Sequence, residues 1–292
     1  MNIIDFAKRA CNEIAEILKK EVKYQEINKL NGTKHYGLTF LEPGGNIAPT
    51  IYLEEFYQMY LDTGNWHKTI NQIIKVYLSN SFPKCIDMGW FKDFDKVQGL
   101  IFHKLINFDT NTTLLENVPY TRYLDFAIVY YAHYEVEKIG NGSILIHNSH
   151  LEMWQCTTQK LAELAEENTP RIYPLSISTI QNTIMDLGYP MDDEIFPNIP
   201  MYVMSNETKT NGAICIRYKD SLKNFANKLN SDVIILPSSV HEVLLLPLEK
   251  DQNFREIRNM VYEVNHDHIP KEDFLSNNIY LYRRDTDNIE IV

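Results

Sequence analysis

Three turn signals, Asn31-Gly32, Gly140-Asn141-Gly142 and Asn211-Gly212, do most to limit what this chain can fold into. Each stands between short apolar or β-branched runs. Asn-Gly is favoured where two consecutive residues need φ > 0, as in a type I′ turn, so each signal predicts a hairpin. Val22 to Leu30 and Lys34 to Leu41 flank the first. Tyr123 to Tyr134 and Ser143 to His147 flank the second, and Met201 to Met204 and Ala213 to Tyr218 the third. Pro49 holds a further strand, Ile47 to Leu53, at a sheet edge, because proline has no N–H to give to a ladder.

Amphipathic helices interrupt these strands. Ile3, Phe6, Ala7, Ala10, Ile14, Ile17 and Leu18 recur at three- and four-residue spacing, and similar patterns run through Leu53 to Leu61, Trp66 to Leu78 and Phe254 to Val264. Further helices are expected over Thr110 to Asn117, from Thr157 or Thr158 to Glu167, over Ser178 to Leu187 with Gly188 at its C-cap, and over Asp220 to Leu229 with Asp220 as its cap. Strands are expected over Leu100 to Phe108, Arg171 to Leu175, Val233 to Leu236, Val243 to Leu246 and Ile279 to Tyr282. Antiparallel strands joined by tight turns and broken by single helices define an α+β fold with antiparallel sheets and interspersed helices. A chain of 292 residues has room for two subdomains. Tyr189 to Pro200, with three prolines and Asp192-Asp193-Glu194, reads as a linker. The expected division is an N-terminal α+β region over 1–188, the linker over 189–200 and a C-terminal α+β domain over 201–292.

The formal net charge of −11 disfavours polyanionic partners, and neither Lys19-Lys20 nor Arg283-Arg284 builds a basic stripe, so nucleic acid is not expected as a partner. The 4 cysteines, Cys11, Cys85, Cys156 and Cys215, are too scattered for a metal site and are expected to be reduced and mostly buried. The first residues lack the pattern of a signal peptide, and no apolar run approaches the roughly 18–20 residues that span a bilayer. The expectation is a cytoplasmic protein with no membrane contact. Phosphate-binding glycine loops, zinc-protease and kinase signatures are missing, so no cofactor and no metal is expected.

Two polar clusters stand out. In Ile144 to Trp154 an apolar strand gives way to His147, Asn148, Ser149, His150 and Glu152 before a helix. His147, Asn148, His150 and Glu152, with Arg171, are candidate ligand-binding residues. The competing reading is that Asn148 or Ser149 caps the helix and Trp154 packs in the core. In Leu236 to Val243 a six-residue polar loop, Pro237 to Glu242, separates two apolar strands. Ser238, Ser239, His241 and Glu242 are candidate catalytic groups there, since they combine a nucleophile, a base and a carboxylate. The competing reading is a turn whose hydroxyls satisfy backbone groups. His266-Asp267-His268 is expected to follow a helix, and Asp87, Asp93 and Asp95 to lie in a solvated loop.

Several of these segments carry a resemblance. Ile47 to Leu53, Lys104 to Asn107, Ile144 to Trp154, Glu167 to Arg171 and Leu236 to Pro247 resemble an uncharacterised bacterial family, domain of unknown function 5688, found largely in gut clostridia. The C-terminal block is also similar to a second uncharacterised family, domain of unknown function 1444. Neither resemblance implies an activity, a cofactor or a catalytic residue. The expected function is therefore that of a cytoplasmic, non-catalytic binding or regulatory protein whose partner is another protein, met through an apolar-aromatic patch rimmed by acid. The alternative is a hydrolase or metal-dependent enzyme. It would use His147 and His150 with the Ser238 to Glu242 loop.

Overall fold

The computed structural model describes residues 1–80, 83–136, 140–186, 188 and 200–292. Close contacts divide the chain into two units. The first is Met1–Trp90 with Glu135–Gly142, and the second is Phe91–Tyr134 with Ser143–Val292. The architecture is α+β, with antiparallel sheets and helices between the strands.

In the first unit, helix α1 (Ile3–Leu18) leads into strands β1 (Glu21–Asn28), β2 (Lys34–Leu41) and β3 (Thr50–Tyr52) and helices α2 (Glu54–Thr63) and α3 (Trp66–Ser79). Asn2 caps α1 by accepting the Asp5 N–H at 2.8 Å. The Asn31-Gly32 turn forms as its sequence requires, with φ 57° and 65° at the two residues. The Thr33 N–H donates to the Leu30 carbonyl at 3.1 Å, closing the turn. The strand register resumes at Asn28 opposite Lys34, so Lys29 is one extra residue, a bulge. β3 lies at the sheet edge, in the order β1-β2-β3. The periodic residues of α1 (Phe6, Ala7, Ala10, Ile14) close over Leu38 and Phe40 of β2 and Ile70 and Ile73 of α3. Each of the phenylalanine, leucine and isoleucine side chains in this set stabilises the fold by about 1.5–3 kcal/mol on burial.

The chain passes into the second unit within α4 (Gly89–Lys92) and continues with α5 (Phe94–Val97), β4 (Ile101–Asn107), α6 (Thr112–Leu115), β5 (Tyr120–Tyr123), β6 (Phe126–Val136), β7 (Gly140–Leu145), α7 (Asn148–Trp154) and α8 (Thr158–Ile172); the end of β6 and the start of β7 count with the first unit. β6 pairs with β4 along one side and with β5 and β7 along the other. The expected single strand over Tyr123 to Tyr134 is two strands. Leu124 (φ 54°) turns the chain without glycine or asparagine, and Asp125 beside it is the one turn-forming residue that announces the break. The turn expected at Gly140-Asn141-Gly142 is not one: these residues open β7 as strand, and residues 137–139 before them lie outside the described residues.

The chain continues through β8 (Leu175–Thr179), α9 (Ile180–Asp186), β9 (Tyr202–Asn206), α10 (Ser221–Leu229), β10 (Val233–Ser239), β11 (Glu242–Pro247), α11 (Phe254–His268), β12 (Tyr280–Arg283) and β13 (Asn288–Ile291). The six strands from β8 onward form one sheet in the order β13-β12-β10-β11-β9-β8. Ile234, Leu236 and Leu281 bury one face of that sheet against Ile257 and Val261 of α11. The Asp125 carboxylate accepts the Tyr280 hydroxyl at 2.6 Å, the Ser276 hydroxyl at 2.7 Å and the Asn278 amide at 3.0 Å, tying the β5–β6 turn to the entry of β12.

Several local expectations are corrected. Ala213 to Tyr218 is not a strand but a buried 3₁₀ segment, Gly212–Arg217. Arg171 belongs to the end of α8, which carries Pro170 in its last turn, and not to a strand. Ser178 and Thr179 belong to β8, and the helix that follows begins at Ile180. The Asp220 side chain does not cap α10. His266 and His268 lie inside the last turn of α11. Of the linker expected over 189–200, only Pro200 is among the described residues. β8 before it and β9 after it are hydrogen-bonded neighbours.

Candidate functional site

The first polar cluster sits where β7 hands over to α7. His147 occupies the N-cap position with extended backbone (φ −100°, ψ 162°), in place of Asn148 or Ser149. Its N–H donates to Nδ1 of His150 at 3.0 Å. The Asn148 amide donates to the Glu116 carbonyl at 3.3 Å, and Trp154 is buried with Nε1–H on the Phe91 carbonyl at 2.8 Å. The His150 ring lies edge-on to Phe91 with centroids 4.9 Å apart. Burial and the neighbouring His147 push its pKa down. Glu152 is exposed on α7. Arg171 is braced, its Nη2 donating to the Gly99 carbonyl at 2.6 Å and to Asn168 Oδ1 at 3.2 Å.

The second cluster is a tight hairpin and not a six-residue loop. β10 runs to Ser239 and β11 starts at Glu242, directly paired with it, so only Val240 and His241 turn. The register shift between Leu236 and Ser239 places Ser238 in an irregular stretch of β10. Ser239 is buried, and its Oγ accepts the His241 N–H at 3.0 Å. His241 is held on every side. Its Nδ1 accepts the Asn211 N–H at 3.1 Å, which puts the ring proton on Nε2, and Nε2 contacts Asp273 Oδ1 at 3.1 Å. Its carbonyl accepts the Ser205 hydroxyl at 2.7 Å and the Gly212 N–H at 2.9 Å. Glu242 is half-buried, and desolvation pushes its pKa up. The contacts of the His147 cluster and of the His241 turn have no residue in common. Among the described residues no three His, Cys, Asp or Glu side chains are arranged to hold a metal ion. No helix among them is long and apolar enough to cross a membrane. All four cysteines are free thiols. Cys11 and Cys215 are buried, Cys156 is partly covered and Cys85 is exposed, so burial holds for two of them.

The open volume lies elsewhere. A groove of about 670 Å³ runs between the edge strand β8 and helix α10. Leu175, Ile177 and Thr179 line its β8 side, Asn224 and Phe225 its α10 side, and Tyr202 of β9 its floor. The Tyr202 and Phe225 rings meet edge-to-face with centroids 5.0 Å apart. The charged residues in the lining are Lys219 and Lys228, with no carboxylate among them. Nothing in the sequence clusters these residues. The one available signal is the period-two alternation Leu175-Ser176-Ile177-Ser178, which marks a half-covered strand. A small cavity of about 20 Å³, the size of one water, lies beside His103, Thr169, Asn206 and Asn211. His103 is buried there, and its Nε2 has no hydrogen-bond partner among the described residues.

The model of a family of unknown function, DUF5688, matches residues 3–284. No curated protein and no solved structure matches the chain.

Proposed function

We propose that this chain, which belongs to the family of unknown function DUF5688, is a binding or regulatory protein and not a catalyst, and that it takes its partner in the groove between β8 and α10. The groove carries this reading. Ligand sites are concave, with apolar walls and a few polar groups turned inward, and a volume of about 670 Å³ lies within their usual range of roughly 300–1,000 Å³. Its walls combine Tyr202, Phe225 and Ile177 with Thr179 and Asn224.

The geometry of the histidines supports the same reading. A general base needs a nitrogen lone pair within reach of a substrate proton. The Nδ1 lone pair of His241 is occupied by the Asn211 N–H, and the Ser239 hydroxyl is occupied by the turn backbone. His150 uses its Nδ1 lone pair to cap α7. The free thiols and the lack of a disulfide among described residues favour a reducing, cytoplasmic setting.

Backbone amide NMR of the full chain against a panel of small organic anions tests the reading. Shifts are expected at residues 175–182, 202 and 218–229. The reading fails if shifts instead collect around His241 and Asp273. It fails equally if a panel of ester, amide and phosphate substrates is turned over and His241→Ala abolishes that turnover.

A further inference from the structure

We infer that the groove receives an extended acidic peptide, which adds as a seventh strand to the open edge of β8. This rests on the groove being the binding site. The first observation is the phase of the β8–β9 ladder. Glu207 donates its N–H to the Pro174 carbonyl at 2.9 Å, and Ile180 donates its N–H to the Met201 carbonyl at 3.0 Å. With Leu175 opposite Asn206 and Thr179 opposite Tyr202, these bonds place Ser176 and Ser178 in the bonded pairs. Leu175, Ile177 and Thr179 therefore direct their N–H and C=O groups away from β9; the Thr179 carbonyl already accepts the Thr183 hydroxyl at 3.1 Å, so Leu175 and Ile177 carry the open part of the edge. β8 is the last strand of its sheet, and no other described strand covers that side. Such a row of backbone donors and acceptors is a template for one more strand. Leu175, Ile177 and Thr179, with Ser178, are the β8 residues that line the groove, so the peptide backbone and its side chains would be read together.

The second observation is charge. The chain carries a net charge of −11, yet the groove lining holds two lysines and no carboxylate. Lys219 precedes α10 and Lys228 stands near its end. They stand near the two ends of a nine-residue helix, which at 1.5 Å per residue is about 13 Å long. Four steps of an extended strand, at about 3.4 Å each, cover the same distance. Carboxylates four positions apart on such a strand project from the same face. They reach both ammonium groups while the residues between them meet Ile177 and Phe225. A basic peptide leaves the lysines unmatched, and a folded partner leaves the strand edge unmatched.

The test uses fluorescence anisotropy on the full chain at low salt. The probe is a labelled, acetylated eight-residue peptide with glutamate at positions 2 and 6, valine at position 4 between them on the same face, and threonine elsewhere. Two further versions are N-methylated at every second amide, in the two alternate phases. Binding of the parent peptide is expected, and a lysine-for-glutamate version should not bind. One methylated phase should lose at least tenfold in affinity while the other binds within about threefold of the parent, because a strand presents only alternate N–H groups to its neighbour. Lys219→Glu with Lys228→Glu should weaken binding about tenfold with an unchanged melting temperature. If both methylated phases bind like the parent, strand addition is overturned while the groove keeps its binding role. If the acidic peptide does not bind at millimolar concentration, the peptide class is overturned, and the groove is then judged by the shifts that small anions cause. If the basic peptide binds as well as the acidic one, the charge argument is overturned.

Discussion

The hairpin turn at His241 and the groove beside β8 are both polar, and they differ in where their polar atoms point. At the turn, the His241 ring, its N–H and its carbonyl are all engaged by Asp273, Asn211, Ser239, Ser205 and Gly212. In the groove, Leu175 and Ile177 turn their backbone groups away from β9, and Lys219 and Lys228 line open volume. Residue types able to do chemistry collect at the turn, and open volume collects at the groove. A serine, histidine and carboxylate close in sequence therefore mark a rigid corner here. The residues with unspent hydrogen-bonding capacity come from strands and a helix that no sequence motif links.

If the turn is a closed corner, disturbing its packing should damage stability more than any other change considered. Gly212 is the sharpest probe. A Cβ there would overlap Ser205 Oγ and come within 2.6 Å of the Asn206 nitrogen and 2.7 Å of the His241 carbonyl oxygen. Two of those three atoms are backbone, so the sheet and not a side chain must yield. Gly212→Ala is expected to cost about 3 kcal/mol, read by urea denaturation. An unchanged midpoint would show that the corner is loose and would erase the contrast with the groove.

The next largest effect is a pH dependence. Burial pushes the pKa of His103 down to about 3, against about 6.5 in the unfolded chain. Above pH 6.5 the ring is neutral in both states and its burial carries no ionisation penalty. As pH falls below 6.5 the unfolded chain takes up the proton and the folded chain does not. Stability then declines by up to about 1.4 kcal/mol per pH unit until the folded-state pKa is reached. By pH 4.5 the loss from this residue is about 2–3 kcal/mol. Thermal melts from pH 7.5 to 4.5 should fall less steeply for His103→Gln, which has no proton to gain. Parallel curves for the two proteins would mean that His103 ionises in place.

Asp273→Ala should come third, at about 1 kcal/mol. The His241–Asp273 pair is partly open to solvent, with side chains 36% and 28% exposed, so water replaces much of what is lost. Amide shifts across β8 and α10 should stay in place. A shift in the groove on this substitution would show that the two regions are coupled.

The sequence reported its local physics well and its long-range pairings poorly. The φ > 0 requirement of Asn31-Gly32, the amphipathic period of α1 and α11, and the proline that keeps β3 at an edge are properties of neighbouring residues, and each produced the element it predicted. Asn211-Gly212 failed as a hairpin. Ala213 to Cys215 pack as a 3₁₀ turn under β9, a tertiary demand that overrode the apolar run. Asp273, which fixes His241, is 32 positions away in a segment with no motif of its own. The groove was illegible for the same reason. Its walls come from β8, β9 and α10, and only the sheet order brings Thr179 beside Tyr202 and Phe225 beneath both.

The smallest effect separates the two regions most cleanly, because its sign is opposite. Asn224 is exposed on α10 and lines the groove. Its backbone N–H donates to the Asp220 carbonyl at 2.9 Å, a bond that alanine keeps. Asparagine is a poorer helix former than alanine by roughly 0.5 kcal/mol, because its amide competes for backbone groups. If the side chain serves a ligand and not the fold, Asn224→Ala should leave the protein equally stable or raise its stability by up to about 0.5 kcal/mol, while anion-induced shifts in the groove weaken. A residue that holds stability below what the position allows is a mark of function selected against stability. Equilibrium denaturation with a precision of about 0.3 kcal/mol is enough to read the sign. A loss of more than about 1 kcal/mol would place the Asn224 amide in the fold itself, and the groove would then be a second closed corner like the one at His241.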